Sequence, residues 1–292
     1  MSLTFSHRGI CVSDLDASLR FYTEALGFAL DADYGTMATP EMALTTDIPD
    51  IALHPVMLKR PDGIKVELLD FENPPVFGPR ERRSTIQFGL VHLSFYVDDV
   101  DAFADRVREA GGRVVEESRA HFAENQTTML YCTDPDGVRI ELMHDPRTKA
   151  RFSHSGICVQ SVDNSMAYYR ALGFQPEEEY VLTDGFEWLG KINEVPGIKL
   201  RVQMMRDKDR NTIELLETIE PASFGPRERR KLNQIGLTHL AWWTDDIDAM
   251  RARLAEAGGS WADHTRTMTG PVELLHGADP DGVRIELMQM HG

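Results

Sequence analysis

GLVHLSFYVDD, residues 89–99, returns as GLTHLAWWTDD at residues 236–246, 147 positions later. Read as a strand, its alternation puts His92, Ser94 and Tyr96 on one face and Leu93, Phe95 and Val97 on the other. One face is apolar and suits packing under a helix. The other carries an imidazole, a hydroxyl and a phenol. The same 147-residue interval separates FSHRGICV (5–12) from FSHSGICV (152–159), and Glu67 from Glu214, while Glu141 and Glu286 lie 145 apart in the repeated DPDGVRIEL.

Each half is itself double. After the first histidine strand, Ser13 or Asp14 can cap a helix in which Leu15, Leu19, Tyr22 and Leu26 recur at helical spacing until Gly27. Residues 29–51 give weak signals. Two strands then flank the turn Pro61-Asp62-Gly63, ending in Lys65 to Leu69. The pattern restarts at Gly89, with a helix from Val100 to Ala110, a strand around Leu130, the turn Asp134-Pro135-Asp136-Gly137, and a strand from Val138 to Met143. The expectation is an α+β chain of four β-α-β-β-β units, forming two tandem domains at residues 1–148 and 149–292.

The balance of 42% hydrophobic and 27% charged residues is that of a globular protein. A formal net charge of −16 argues against nucleic acid or an anionic membrane as partner. That leaves a small-molecule substrate or another protein, with association into homo-oligomers open. Cys11, Cys132 and Cys158 lie in apolar runs as free, buried thiols, which suits a cytoplasmic location. No apolar run reaches the roughly 18 residues of a membrane span.

Four opening strands place a histidine on the equipped face: His7, His92, His154 and His239. Four closing strands hold Glu67, Glu141, Glu214 and Glu286 opposite aliphatic neighbours. An isolated inward carboxylate is costly to ionise. Two imidazoles and two carboxylates on one concave face would instead hold a divalent metal ion, such as Zn, Ni, Co, Mn or Fe(II). Such an ion polarises a carbonyl while a carboxylate moves the adjacent proton, which makes Glu67, Glu141, Glu214 and Glu286 the catalytic candidates. One histidine or glutamate on a strand is more often core or surface; recurrence in the non-identical halves of each tandem copy is what singles these out.

The openings FSHRGICV and GLVHLSFYVDD, the helix end FYTEALGF and the repeated DPDGVRIEL resemble the vicinal oxygen chelate superfamily, which includes glyoxalase I, methylmalonyl-CoA epimerase, bleomycin resistance proteins and extradiol dioxygenases. The resemblance covers nearly the whole chain. It implies two incomplete-barrel domains, each with a metal in its cavity: His7, Glu67, His92 and Glu141 in the first, His154, Glu214, His239 and Glu286 in the second. It further implies an isomerase, epimerase or lyase working by proton transfer beside a carbonyl, with a thioester or thiol adduct as one substrate class.

Two alternatives accompany that expectation. Tyr131, Asp134, Pro135, Gly137 and Glu141 nearly match the pattern of Fe(II) extradiol dioxygenases, but in the wrong half, and a second glutamate fills a position those enzymes keep open. A non-catalytic binding module, as in antibiotic resistance, would use aromatic walls; Tyr96 and its counterpart Trp243 on the cleft face are the substrate-binding candidates. FGPRERR occurs at 77–83 and 224–230. Its arginines, Arg80, Arg82 and Arg83 with Arg227 in the second copy, would either anchor a substrate's acidic groups or belong to a solvated helix start.

Overall fold

The computed structural model describes residues 2–292. Unit two has the expected β-α-β-β-β order, while units one and three insert a short helix after their second strand and unit four adds a short strand. Unit one is β1 (Leu3–Val12), α1 (Leu15–Arg20, continued by a π turn at Phe21–Ala25), β2 (Ala29–Asp33), α2 (Pro40–Thr46), β3 (Ala52–Lys59) and β4 (Lys65–Asn73). Unit two is β5 (Gly89–Tyr96), α3 (Val100–Glu109), β6 (Arg113–Phe122), β7 (Thr127–Thr133) and β8 (Arg139–His144). Unit three is β9 (Arg151–Val159), α4 (Val162–Ala171), β10 (Gln175–Leu182), α5 (Glu187–Asn193), β11 (Lys199–Arg206) and β12 (Thr212–Glu220). Unit four is β13 (Gly236–Thr244), α6 (Ile247–Glu256), β14 (Ser260–Trp261), β15 (Thr267–Thr269), β16 (Val272–Ala278) and β17 (Arg284–Met290).

Local chemistry accounts for the starts and stops. The Asp14, Asp99 and Asp246 carboxylates accept backbone N–H groups at the starts of α1, α3 and α6, and Ser161 does so for α4. The apolar faces of the opening strands, Ile10 and Val12 or Leu93 and Phe95 among them, are buried in one continuous core with the long helices. The short helices α2 and α5 end on Asp47 and Glu194 in the left-handed region.

Sheet order decides how the four units pair, which the repeat leaves open, and regroups the ligand sets that the resemblance implied. One sheet runs β14-β16-β17-β13-β1-β4-β3-β2, with β15 paired to β16, and the other β10-β11-β12-β9-β5-β8-β7-β6. Unit one therefore completes a sheet with unit four, and unit two with unit three, across the tandem repeat. Chain length explains it. Only residues 145–150 separate β8 from β9, so the chain turns tightly and β9 lies antiparallel on β5 within the same sheet. The longer segments 74–88 and 221–235 carry the chain from one sheet to the other and back, and they pair with each other through the Phe77 and Phe224 backbones.

FGPRERR lies in these two crossings and starts no helix. Arg80 and Arg227, the substrate-binding candidates of this motif, form ion pairs with Asp136 and Asp281 at 2.9 Å each. Arg82 and Arg229 pair with Glu194 and Asp47, the residues that end α5 and α2. Arg83 and Arg230 donate to the Phe88 and Ile235 carbonyls. The repeated basic motif is thus a clamp that joins crossings, turns and short helices.

Candidate metal centres

The eight predicted ligands gather in two clusters, regrouped by the sheet order. His7 and Glu67 meet His239 and Glu286; His92 and Glu141 meet His154 and Glu214. The expected grouping of His7 with His92, and of His154 with His239, is corrected by the strand pairing β1–β13 and β5–β9.

In the first cluster the Nε2 atoms of His7 and His239 stand 3.1 Å apart. Glu67 Oε2 is 3.4 Å from His7 Nε2 and 3.6 Å from His239 Nε2, and Glu286 Oε2 is 3.5 and 3.6 Å from them. The second cluster repeats this: His92 Nε2 to His154 Nε2 is 3.1 Å, Glu214 Oε2 is 3.4 Å from both, and Glu141 Oε2 is 3.9 and 3.5 Å away. All four imidazoles are buried.

Glycine permits this convergence. A Cβ on Gly9 would lie 2.0 Å from the His239 ring, and one on Gly156 would lie 2.1 Å from the His92 ring. Both glycines sit two residues after a histidine, so each sheet joins one glycine-bearing strand to one whose imidazole lies over it. Three of the histidines are also oriented from behind. Ser6, Thr238 and Ser153 hydroxyls bond Nδ1 of His7, His239 and His154 at 2.9–3.1 Å, leaving Nε2 aimed at the cluster. Strand alternation alone does not bring these hydroxyls into the site, but the sequence carries their signal, since each belongs to the residue immediately before its histidine.

The donor set fits a borderline divalent ion. Two Nε2 atoms and one carboxylate oxygen lie within 4.8 Å of one another at each centre, from His7, His239 and Glu286 and from His92, His154 and Glu214, with Glu67 and Glu141 as second carboxylates and no thiolate. Electrostatics agree with that fit. Burial opposes protonation of His7, but Glu67 and Glu286 outweigh it and raise its pKa, whereas burial and the neighbouring His7 depress His239 to about 3. Burial likewise works against ionisation of Glu67, yet the His7 and His239 rings hold it low, while burial and the nearby Glu67 push Glu286 up. Such mutual dependence is what a cation among these groups would relieve.

The two centres differ in their surroundings. Beside Glu286, on β16, stands His276, with Nε2 3.7 Å from Glu286 Oε1; the matching position beside Glu141 is Tyr131. Ser94 Oγ donates to Glu141 Oε2 at 2.7 Å, and its counterpart Ala241 offers nothing to Glu286. At the first centre a cavity of about 490 Å³ opens over the ligands, lined by Trp243 as expected and by residues of α2, β3 and β15–β16. At the second, Trp188 of α5 packs edge-on to Phe122 at 5.1 Å, beside Tyr131 and Met129. Tyr96 lies 4.9 Å from the Arg151 guanidinium, which stacks on its ring.

Sequence and structure comparisons agree with this geometry. Residues 4–142 and 153–271 each match a model of the Glyoxalase/Bleomycin resistance protein/Dioxygenase superfamily. The chain belongs to that superfamily. Among relatives, a lactoylglutathione lyase of Schizosaccharomyces pombe is 28% identical over 182 residues, spanning 58% of this chain and 59% of that protein. The lactoylglutathione lyase of Haemophilus influenzae is 28% identical over 144 residues, 49% of this chain and 94% of its own length. An ethylmalonyl-CoA/methylmalonyl-CoA epimerase of Cereibacter sphaeroides is 28% identical over 141 residues, 47% of this chain and 94% of that one. Glyoxalase I from Zea mays shares the fold, with a TM-score of 0.68 at 19% identity over 99% of this chain and 92% of that one. The names of these relatives are those of lyases and an epimerase. No helix among the described residues is long and apolar enough to cross a membrane.

Proposed function

We propose that this glyoxalase-superfamily chain is a divalent-metal-dependent isomerase, epimerase or lyase that moves a proton next to a carbonyl. One observation carries the reading: two Nε2 atoms 3.1 Å apart, with two carboxylate oxygens at 3.4–3.6 Å from them, under an open cavity. His7, His239 and Glu67 would hold the ion, with Glu286 as the fourth donor and the base. The chemistry a divalent ion supplies there is polarisation of a substrate carbonyl, which acidifies the adjacent C–H.

The protein's own groups do the rest. Glu286, with Oε2 3.5 and 3.6 Å from the two Nε2 atoms and its side chain on the cavity wall, is placed to accept a proton from carbon and return it. Glu67, held low by His7 and His239 despite its burial, stays ionised and keeps its charge on the opposite side. Removal of a proton on one carbon and return to its neighbour gives isomerisation; return to the opposite face of the same carbon gives epimerisation. A thioester or thiol adduct suits this chemistry, because sulfur leaves the neighbouring carbonyl electron-poor. Zn, Ni, Co, Mn and Fe(II) all suit the donors, and the three buried free cysteines suit a reducing cytoplasm. The second carboxylate at each centre counts against the dioxygenase alternative.

Two measurements test the reading. Elemental analysis of the purified protein should find a divalent metal, and a panel of thioesters and 2-hydroxy ketones followed by NMR in deuterated water should show exchange beside the carbonyl. Glu286→Gln should slow exchange at least about a hundredfold, the usual scale for loss of a positioned general base. A protein that neither carries nor takes up a divalent ion would sink the proposal.

A further inference from the structure

Resting on that reading, we infer that the open centre takes a compact substrate with an uncharged, apolar body, and not one with a multiply charged tail such as a tripeptide or a nucleotide. Walls enclose the cavity over His7, Glu67, His239 and Glu286. They are built mainly of thioether, aliphatic and aromatic side chains, Met37, Leu53, Met57, Leu232, Val272 and Trp243 among them. The polar groups away from the ligands are mostly the hydroxyls of Tyr34 and a few threonines.

A charged tail needs cations, and this cavity has almost none to give. Lys65 is the cation on its wall, and Asp31 already holds its Nζ at 2.6 Å. Arg284, close to Glu286, is buried, donates Nε to the Arg230 carbonyl, and does not line the cavity. The arginines of both FGPRERR copies are engaged in ion pairs or with backbone carbonyls. A carboxylate or phosphate seated among these walls would lose its hydration without a charged partner. An apolar body would instead release water from Met, Leu and Trp surface. The volume of about 490 Å³ matches a drug-sized molecule, not an extended cofactor conjugate.

Isothermal titration calorimetry with two probes, 2-naphthol and S-hexylglutathione, tests the inference on metal-loaded and on EDTA-treated protein. The expected result is that 2-naphthol binds at least about tenfold more tightly than S-hexylglutathione in both forms. Val272→Arg, on the cavity wall, should weaken 2-naphthol at least about tenfold and narrow the gap between the probes; Thr269→Arg serves if the first variant does not fold. The inference is overturned if S-hexylglutathione binds as tightly as 2-naphthol or more so, if 2-naphthol binds neither form, or if the arginine variant leaves its affinity unaltered. Absence of metal would refute the proposed chemistry but leave the probe comparison on EDTA-treated protein intact, so the two failures are distinguishable.

Discussion

Gly9 and Gly156 carry the most specific demand in the molecule. Each lies so close under an imidazole that an added Cβ would stand 2.0 or 2.1 Å from the ring. Gly9→Ala should displace the His239 ring and Gly156→Ala the His92 ring. Each substitution should cost about 1–3 kcal/mol of stability, the scale of overpacking in a closed interior. Each should also remove the metal from one centre only. Elemental analysis gives the check, since either single variant should hold about half the metal of the parent protein, and full occupancy in both would mean that the rings can move aside. At this scale much of the site was legible from sequence. Strand alternation is local, so it placed His7, His92, His154, His239 and the four glutamates on the right faces. The hydroxyls of Ser6, Ser153 and Thr238 lie on the opposite, core-type alternation and escaped notice, because the bond to Nδ1 runs from one residue to its neighbour, around the strand.

The short helices α2 and α5 decide how open each centre is. They come from segments 29–51 and 177–194, whose residues face a cavity or a partner unit and not a helix-wide core, which in 29–51 leaves the apolar pattern weak. Both are tied down at their ends, α5 by Glu194 to Arg82 and to Arg139, whose Nη1 is 2.7 Å away. Burial works against ionisation of Glu194, but the two arginines outweigh it and hold its pKa below the ordinary 4.5. A depressed carboxylate stabilises the fold above its unfolded value, and that stabilisation is lost as pH falls through the folded value. Thermal unfolding should therefore show a loss below about pH 4.5 to which Glu194 contributes. Glu194→Gln should cost about 1 kcal/mol at neutral pH, discounted for partial exposure, and should flatten that part of the pH profile. Hydrogen exchange should be faster in α5 of the variant and unchanged in α2, which Arg229 holds through Asp47. An unaltered acid profile would remove Glu194 from the account.

Across the whole molecule, the repeat of 147 residues reports ancestry of the halves but not which units share a sheet. All four opening strands have the same alternation, and the histidine and glycine patterns of unit one suit unit two as well as unit four. The choice is made by connection length: residues 145–150 are too few to leave a sheet, whereas 74–88 and 221–235 cross between sheets and zip together at Phe77 and Phe224. Short-range pattern cannot see that. Metal counting can. In the observed pairing His7 shares a centre with His239, and His92 with His154. His7→Ala combined with His239→Ala should empty one centre and leave the other filled, so the metal content should fall by half. His7→Ala combined with His92→Ala should damage both centres and lower the content well below half. Pairing of units within each tandem half would reverse the pattern, because His7 and His92 would then share one ion while His7 and His239 would disable two. The two double variants, analysed side by side for metal per chain, therefore distinguish the crossed arrangement from the tandem one without a substrate.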